Sequence, residues 1–375
     1  MEESVMKNLK ISQHLFIIVV CLLAFNACLM EEPLKIPFQT YVPPDMADGW
    51  EIAVPADVNI DGEALKDVYK WVHEDGKIWQ IRSLLVFRNN KLVAESYMKD
   101  AGDRTNPGAI WSCTKQVTGI LVGIAIENNY IESLTDPISK YLPQTLNTDK
   151  SQITIENLLT MKSGINFRNG GIQGESGKLL REIPANSLDF ILGLNMYSTP
   201  GTKYNYNDGD PHIISAIIQE RTGKTMRDWA KEVLFDKIGI NQLEWHTYKD
   251  GITMGCFGIL TTPRELAKIG QLILNNGKWG DEQIVSSAWI SEMTSSKVSA
   301  NETQNTNVTF GYQWWKDTER DILMMRGHGG QFVLINKSKN LIVVIMSEPN
   351  TQDPFQLSLS KNGYAIYDRI NSIAY

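Results

Sequence analysis

The 375-residue chain is poor in cysteine, with four, and has no run of five like charges. Four thiols, two of them near the N-terminus, are too few for a disulfide framework. Cys113 and Cys256, the two in the body, read as small buried hydrophobes. A net charge of -7 without charged blocks gives nothing to neutralise a phosphate backbone, so nucleic acid is not an expected partner. The five histidines, at 14, 73, 212, 246 and 328, make no cluster with carboxylates or cysteines at metal-ligand spacing, and H-E-x-x-H is absent. The G-x-S-x-G elbow is absent too, which leaves the α/β-hydrolase route without support. Neither a metal nor an organic cofactor is expected.

The apolar run Leu15 to Phe25 is eleven residues, short of the ~20 needed to span a bilayer but suited to the apolar region of a signal peptide. Lys7 and Lys10 supply the positive region ahead of it, whereas Glu2 and Glu3 spoil it, which points to a start at Met6. Ala27-Cys28 follows in the manner of a bacterial lipobox, making Cys28 the expected lipid-attachment residue. Five of the 14 prolines fall between residues 33 and 55, favouring extended backbone over helix. The expected organisation is therefore a signal peptide over 1–27, a Pro-rich tether over 28–55 and one folded domain over 56–375. Such a protein is exported and held in the cell envelope, touching the membrane through its N-terminal lipid anchor alone.

Within the body, Leu84 to Phe87 and Leu92 to Tyr97 flank Asn89-Asn90, a strand, turn, strand signal. Gln331 to Ile335 and Leu341 to Met346 repeat it near the other end, followed by an amphipathic stretch over Tyr364 to Ile373. The middle carries capped helical patterns: Thr154 to Gly164, a helix opened by Asp210-Pro211 and stopped by Gly223, and one opened by Thr262-Pro263. The fold class is α+β, an antiparallel sheet built from both chain ends with flanking helices and a mostly helical lobe. The sheet lobe falls at about 56–110 and 306–375, the helical lobe at about 111–305.

Four S-x-x-K pairs occur, Ser4/Lys7, Ser96/Lys99, Ser112/Lys115 and Ser358/Lys361, so the spacing alone selects nothing. Ser112 is singled out by the long apolar helix pattern that follows, Val117 to Ile126, and by the Asn106-Pro107-Gly108 turn before it. Residues three apart share a helix face, which brings the Lys115 amine towards the Ser112 hydroxyl. Burial and the helix dipole disfavour an ammonium there and would let the amine accept the serine proton. The plain alternative is a capping serine with a lysine whose stem lies along the surface.

The blocks WSCTKQVTGIL, DPISKYLP, ITIENLLTMKSGI, PGTKYNYND, FGYQWW and RGHGGQF follow one another in this order. In that order the chain resembles the serine β-lactamase and penicillin-binding-protein superfamily, in its class C-like branch with esterases and 6-aminohexanoate-dimer hydrolases. The resemblance implies Ser112 as nucleophile, Lys115 and Tyr206 as proton carriers, and His328 with Gly329 and Gly330 as the third motif on an edge strand, where a catalytic His328 polarises the site or, when charged, binds a substrate carboxylate. It also implies an oxyanion hole from the backbone N–H groups of Ser112 and Gln331. Asp208 stands where the family has Asn; a carboxylate near Lys115 favours the ammonium and so bears on Lys115 as sole base. Tyr312, Trp314 and Trp315 read either as pocket wall or as core. The expected activity is hydrolysis of an ester, amide or lactam of a small or peptide-like substrate through an acyl-enzyme on Ser112. The rival is a non-hydrolytic lipoprotein that binds penicillin or peptidoglycan fragments, for which Asp208 is the main support.

Overall fold

The computed structural model describes residues 35–169, 174–181, 185–349 and 357–375. The expected signal peptide, Cys28 and the start of the Pro-rich stretch lie outside the described residues.

Eight strands form the main sheet: β1 (Glu51–Ile52), β2 (Ile81–Arg88), β3 (Lys91–Tyr97), β4 (Val308–Phe310), β5 (Trp315–Asp317), β6 (Ile322–Gly327), β7 (Gln331–Asn336) and β8 (Leu341–Ser347). Their spatial order is β1-β3-β2-β8-β7-β6-β5-β4. Every pairing is antiparallel except that of β1 with β3. The central seam joins β2 to β8, with Leu84 opposite Ile345 and Val86 opposite Val343, so the sheet is assembled from both ends of the body. Asn89 and Asn90 reverse the chain between β2 and β3 with φ of 53° and 67°, left-handed values that Asn tolerates.

The helices that cover the sheet or build the site are α1 (Gly62–Glu74), α2 (Thr114–Glu127), α3 (Ile155–Leu159), α4 (Glu175–Arg181), α5 (Gly209–Thr222), α6 (Pro263–Leu274) and α7 (Leu357–Ser372). Helix α6 lies on β7 and β8, and α2 packs on α5; on the opposite face α7 packs on α1 and β8. Both faces of the central strands are thus buried. Leu85, Phe87, Ile342 and Val344 point into one core, and Leu84, Val86, Val343 and Ile345 into the other. A strand covered on both sides needs no polar alternation, which is why β2 and β8 read as nearly unbroken apolar runs. Helix α2 is hydrophobic on every side and is buried from Thr114 to Ala125.

From residue 35 the Pro-rich stretch is packed rather than free. The Ile36 N–H donates to the Met98 carbonyl at 2.6 Å, the Glu95 N–H to the Tyr41 carbonyl at 2.8 Å, and the Trp50 indole to the Arg264 carbonyl at 3.2 Å. Proline lacks a donor but leaves carbonyls free to accept, so the segment docks without regular structure until β1. Among the described residues no helix is long and apolar enough to cross a membrane.

Candidate active site

The Ser112 segment precedes α2 as a single 3₁₀ turn, Trp111–Cys113. Trp111 has φ 50°, a left-handed value that a bulky side chain seldom adopts. This bend leaves Ser112 partly exposed while Cys113 is fully buried. The Cys113 thiol lies 3.7 Å from the Gln331 carbonyl, a weak bond that ties the turn to the start of β7. Gly327 ends β6 directly beneath: a Cβ there would sit 2.3 Å from the Ile110 carbonyl, so only glycine allows the strand and the turn to approach this closely.

Lys115, one residue into α2, has no solvent exposure. Its ammonium donates to Ser112 Oγ at 2.9 Å, to the Cys256 carbonyl at 2.9 Å and to Asp208 Oδ1 at 2.5 Å. Burial is the strongest single influence and pulls its pKa down, but the facing Asp208 carboxylate, with Tyr206 and Cys256 beside it, more than offsets that and the net direction is up. Lys115 is therefore an ammonium across the neutral range, and the expectation of an amine freed by burial and the helix dipole is reversed.

Asp208 also accounts for a shifted boundary. Helix α5 starts at Gly209, one residue before the Asp210 cap read from sequence, and Asp208 occupies the capping position without capping. Its carboxylate serves Lys115 instead, while Asn207 Oδ1 accepts the Asp210 N–H at 2.8 Å. The other Asp208 oxygen accepts from Ser176 Oγ at 2.6 Å, and the Asp208 N–H donates to Asn169 Oδ1 at 3.1 Å.

The Tyr206 ring is largely buried, with the Lys115 ammonium 5.1 Å from its centroid and the Trp315 ring 5.4 Å away. Burial raises its phenol pKa, although Lys115 and the Ser112 hydroxyl beside it favour the phenolate and temper the rise. Trp315 thus reaches the site. Tyr312 and Trp314 belong to the core: Tyr312 stacks on Trp289 at 5.7 Å, and the Trp314 indole donates to the Gln116 carbonyl at 3.2 Å.

His328, Gly329 and Gly330 form the turn between β6 and β7. Gly329 and Gly330 have φ of 80° and 83°, which requires glycine. The His328 imidazole meets Trp111 edge to face at 5.4 Å, and the protein around it lowers its pKa despite the opposing pull of Asp208, so it is neutral at pH 7. A neutral ring does not offer the positive charge that sequence reasoning allowed it for binding a carboxylate. The Gln331 side chain is spent internally, donating to the Ser347 carbonyl at 2.7 Å and accepting from the Ser347 N–H at 3.1 Å.

Ser112, Lys115 and Asp208 are therefore in direct contact, Tyr206 packs beside them, and the His328 turn borders them through Trp111. Sequence reasoning missed Ser176, Asn169 and the Cys256 carbonyl; they sit in stretches without periodicity or motif, and a backbone carbonyl leaves no mark in composition. Among the described residues no group of three or more His, Cys, Asp or Glu is placed to hold a metal ion.

The family model for β-lactamase matches residues 82–361. The 6-aminohexanoate-dimer hydrolase of Paenarthrobacter ureafaciens is 21% identical over 289 residues, covering 72% of this chain and 73% of that one. A Bacillus anthracis structure provisionally named a 6-aminohexanoate-dimer hydrolase superposes with TM-score 0.69 at 21% identity, over 91% of this chain and 93% of that one. A family VIII carboxylesterase superposes with TM-score 0.63 at 17% identity, over 81% and 97% respectively. The chain belongs to the β-lactamase family of serine hydrolases.

Proposed function

We propose that the protein cleaves an ester, amide or lactam bond by acyl transfer through Ser112, in the manner of the family's class C-like branch. The observation that carries this reading is the hydrogen-bonded chain from Ser112 through Lys115 to Asp208, with the Tyr206 phenol alongside. Because Lys115 rests as an ammonium, the proton acceptor is the pair: as Lys115 takes the Ser112 proton, it passes one of its own to Asp208 Oδ1. Ser112 Oγ bonds to the substrate carbonyl carbon, and the Tyr206 phenol protonates the leaving group as its bond to that carbon breaks. The proton held by Asp208 returns through Lys115 to Tyr206. Water then attacks the acyl-serine, gives its proton to the same relay and releases the acid, restoring the Ser112 hydroxyl. The backbone N–H groups of Ser112 and Gln331 are assigned to the oxyanion, where one well-aimed donor is worth about 3–4 kcal/mol. The neutral His328 and the glycines of its turn are assigned to the cleft wall.

The similar proteins named for linear-amide and ester cleavage support the bond types proposed. An exported, lipid-tethered protein anchored at Cys28 would meet its substrate in the cell envelope. Ser112→Ala is expected to abolish labelling by a fluorophosphonate and turnover of p-nitrophenyl esters while leaving the melting curve in place. Unchanged labelling would remove Ser112 from the mechanism. A burst of one equivalent without steady turnover, across activated esters, nitrocefin, D-amino-acid amides and linear amide dimers, would instead favour the non-hydrolytic binding protein.

A further inference from the structure

Lys115 holds one oxygen of Asp208; the other belongs to Ser176, the second residue of α4. Ser176 is 7% exposed and has one hydroxyl proton for two neighbours, Asp208 Oδ2 at 2.6 Å and Asn169 Oδ1 at 2.9 Å. Asn169 Oδ1 already accepts the Asp208 N–H, and 2.6 Å is the length of an O–H donating to a carboxylate, so the proton goes to Asp208. The residues just before Asn169 and just before Ser176 are bonded to each other, with the Arg168 N–H on Glu175 Oε2 at 2.7 Å and the Glu175 N–H on the Arg168 carbonyl at 2.8 Å.

From this geometry we propose that Ser176 is a positioning residue, which fixes the Asp208 carboxylate so that its other oxygen faces Lys115. Asp208 opens α5 with helical backbone angles, φ -91° and ψ -14°, and makes no capping bond, so its carboxylate is oriented by its hydrogen-bond donors alone. Two donors on opposite oxygens hold the carboxylate in one orientation. Loss of the Ser176 hydroxyl leaves a buried acceptor unsatisfied and frees the carboxylate to rotate away from the ammonium. The inference rests on the acyl-transfer reading, since a fixed Asp208 matters only if the Lys115 relay does.

The test is steady-state hydrolysis of an activated ester by the full chain carrying Ser176→Ala, Asp208→Asn or both, with thermal melts alongside. Ser176→Ala is expected to lower kcat roughly 10- to 100-fold while KM shifts less than about threefold. In the Asp208→Asn background the same change should cost less than about threefold, because the charge it positions is gone. Should Ser176→Ala melt early, Ser176→Cys fills the space with a weak donor and should show the same kcat loss. Wild-type kcat in a folded Ser176 variant, or an undiminished loss on top of Asp208→Asn, overturns the proposal. Turnover surviving Ser112→Ala would overturn the acyl-transfer reading itself, whatever Ser176 does.

Discussion

At the scale of single residues the site turns on one buried ion pair. Lys115 is fully enclosed and the Asp208 side chain nearly so, and neither charge is tolerable there alone. Lys115→Met is expected to abolish turnover and also to destabilise the fold by about 3–5 kcal/mol, read from urea melts, because it strands a carboxylate. Asp208→Asn keeps the shape and removes the final proton acceptor; it is expected to lower kcat by about 10²- to 10³-fold with KM little changed. A wild-type kcat for Asp208→Asn would show that Lys115 works without its partner. Ser112, Lys115 and Tyr206 were legible because their motifs have fixed spacing and order. The protonation state was legible only as a question, since Asp208 could be named from sequence but its 2.5 Å contact with Lys115 could not.

At the scale of elements, Ser112 is held by what lies under it. Helix α2 could be read because a run that is hydrophobic on all sides has to be buried. The strands flanking it were likewise clear, since β2, β3, β7 and β8 end at asparagine-rich turns. The 3₁₀ turn at Trp111–Cys113 and its seat on Gly327 were not readable, because close contact between two backbones has no side-chain signature. Gly327→Ala tests that seat: the added methyl would press on the Ile110 carbonyl, which cannot rotate aside. The expected result is a loss of about 1–3 kcal/mol in stability with a fall of roughly tenfold or more in Ser112 labelling rate. Normal labelling would mean that the turn yields without moving Ser112.

At the scale of the molecule, burial also tunes the response to pH. Asp210 is wholly enclosed at the start of α5, and burial pushes its carboxyl up from 3.8 to about 7. The folded chain keeps a proton that the unfolded chain releases, so this group's contribution to stability is full below about pH 4 and is lost as pH rises to about 7. The loss amounts to at most about 4 kcal/mol. Asp210→Asn is expected to flatten that decline in urea midpoints measured from pH 4 to 8; an unchanged slope would assign it to other groups. The halves of the chain are also joined by charge. Arg264 on α6 donates to Glu95 on β3 at 2.7 Å, to Asp48 at 2.9 Å and to the Pro44 carbonyl at 2.9 Å. This bridge explains why the Pro-rich stretch docks, and no local pattern foretold it: its partners are brought together only by the completed fold.

The seam between β2 and β8 has a consequence for how the molecule comes into being. Strand β2 is translated long before β8, its neighbour in the sheet, and the floor of the Ser112 turn comes with β6 and β7. An unfinished chain therefore carries an unseated Ser112 turn and an unpaired, strongly apolar strand edge. The proposed site is assembled only by the closing stitch, and until then the nascent protein depends on whatever shields that edge from a neighbouring copy.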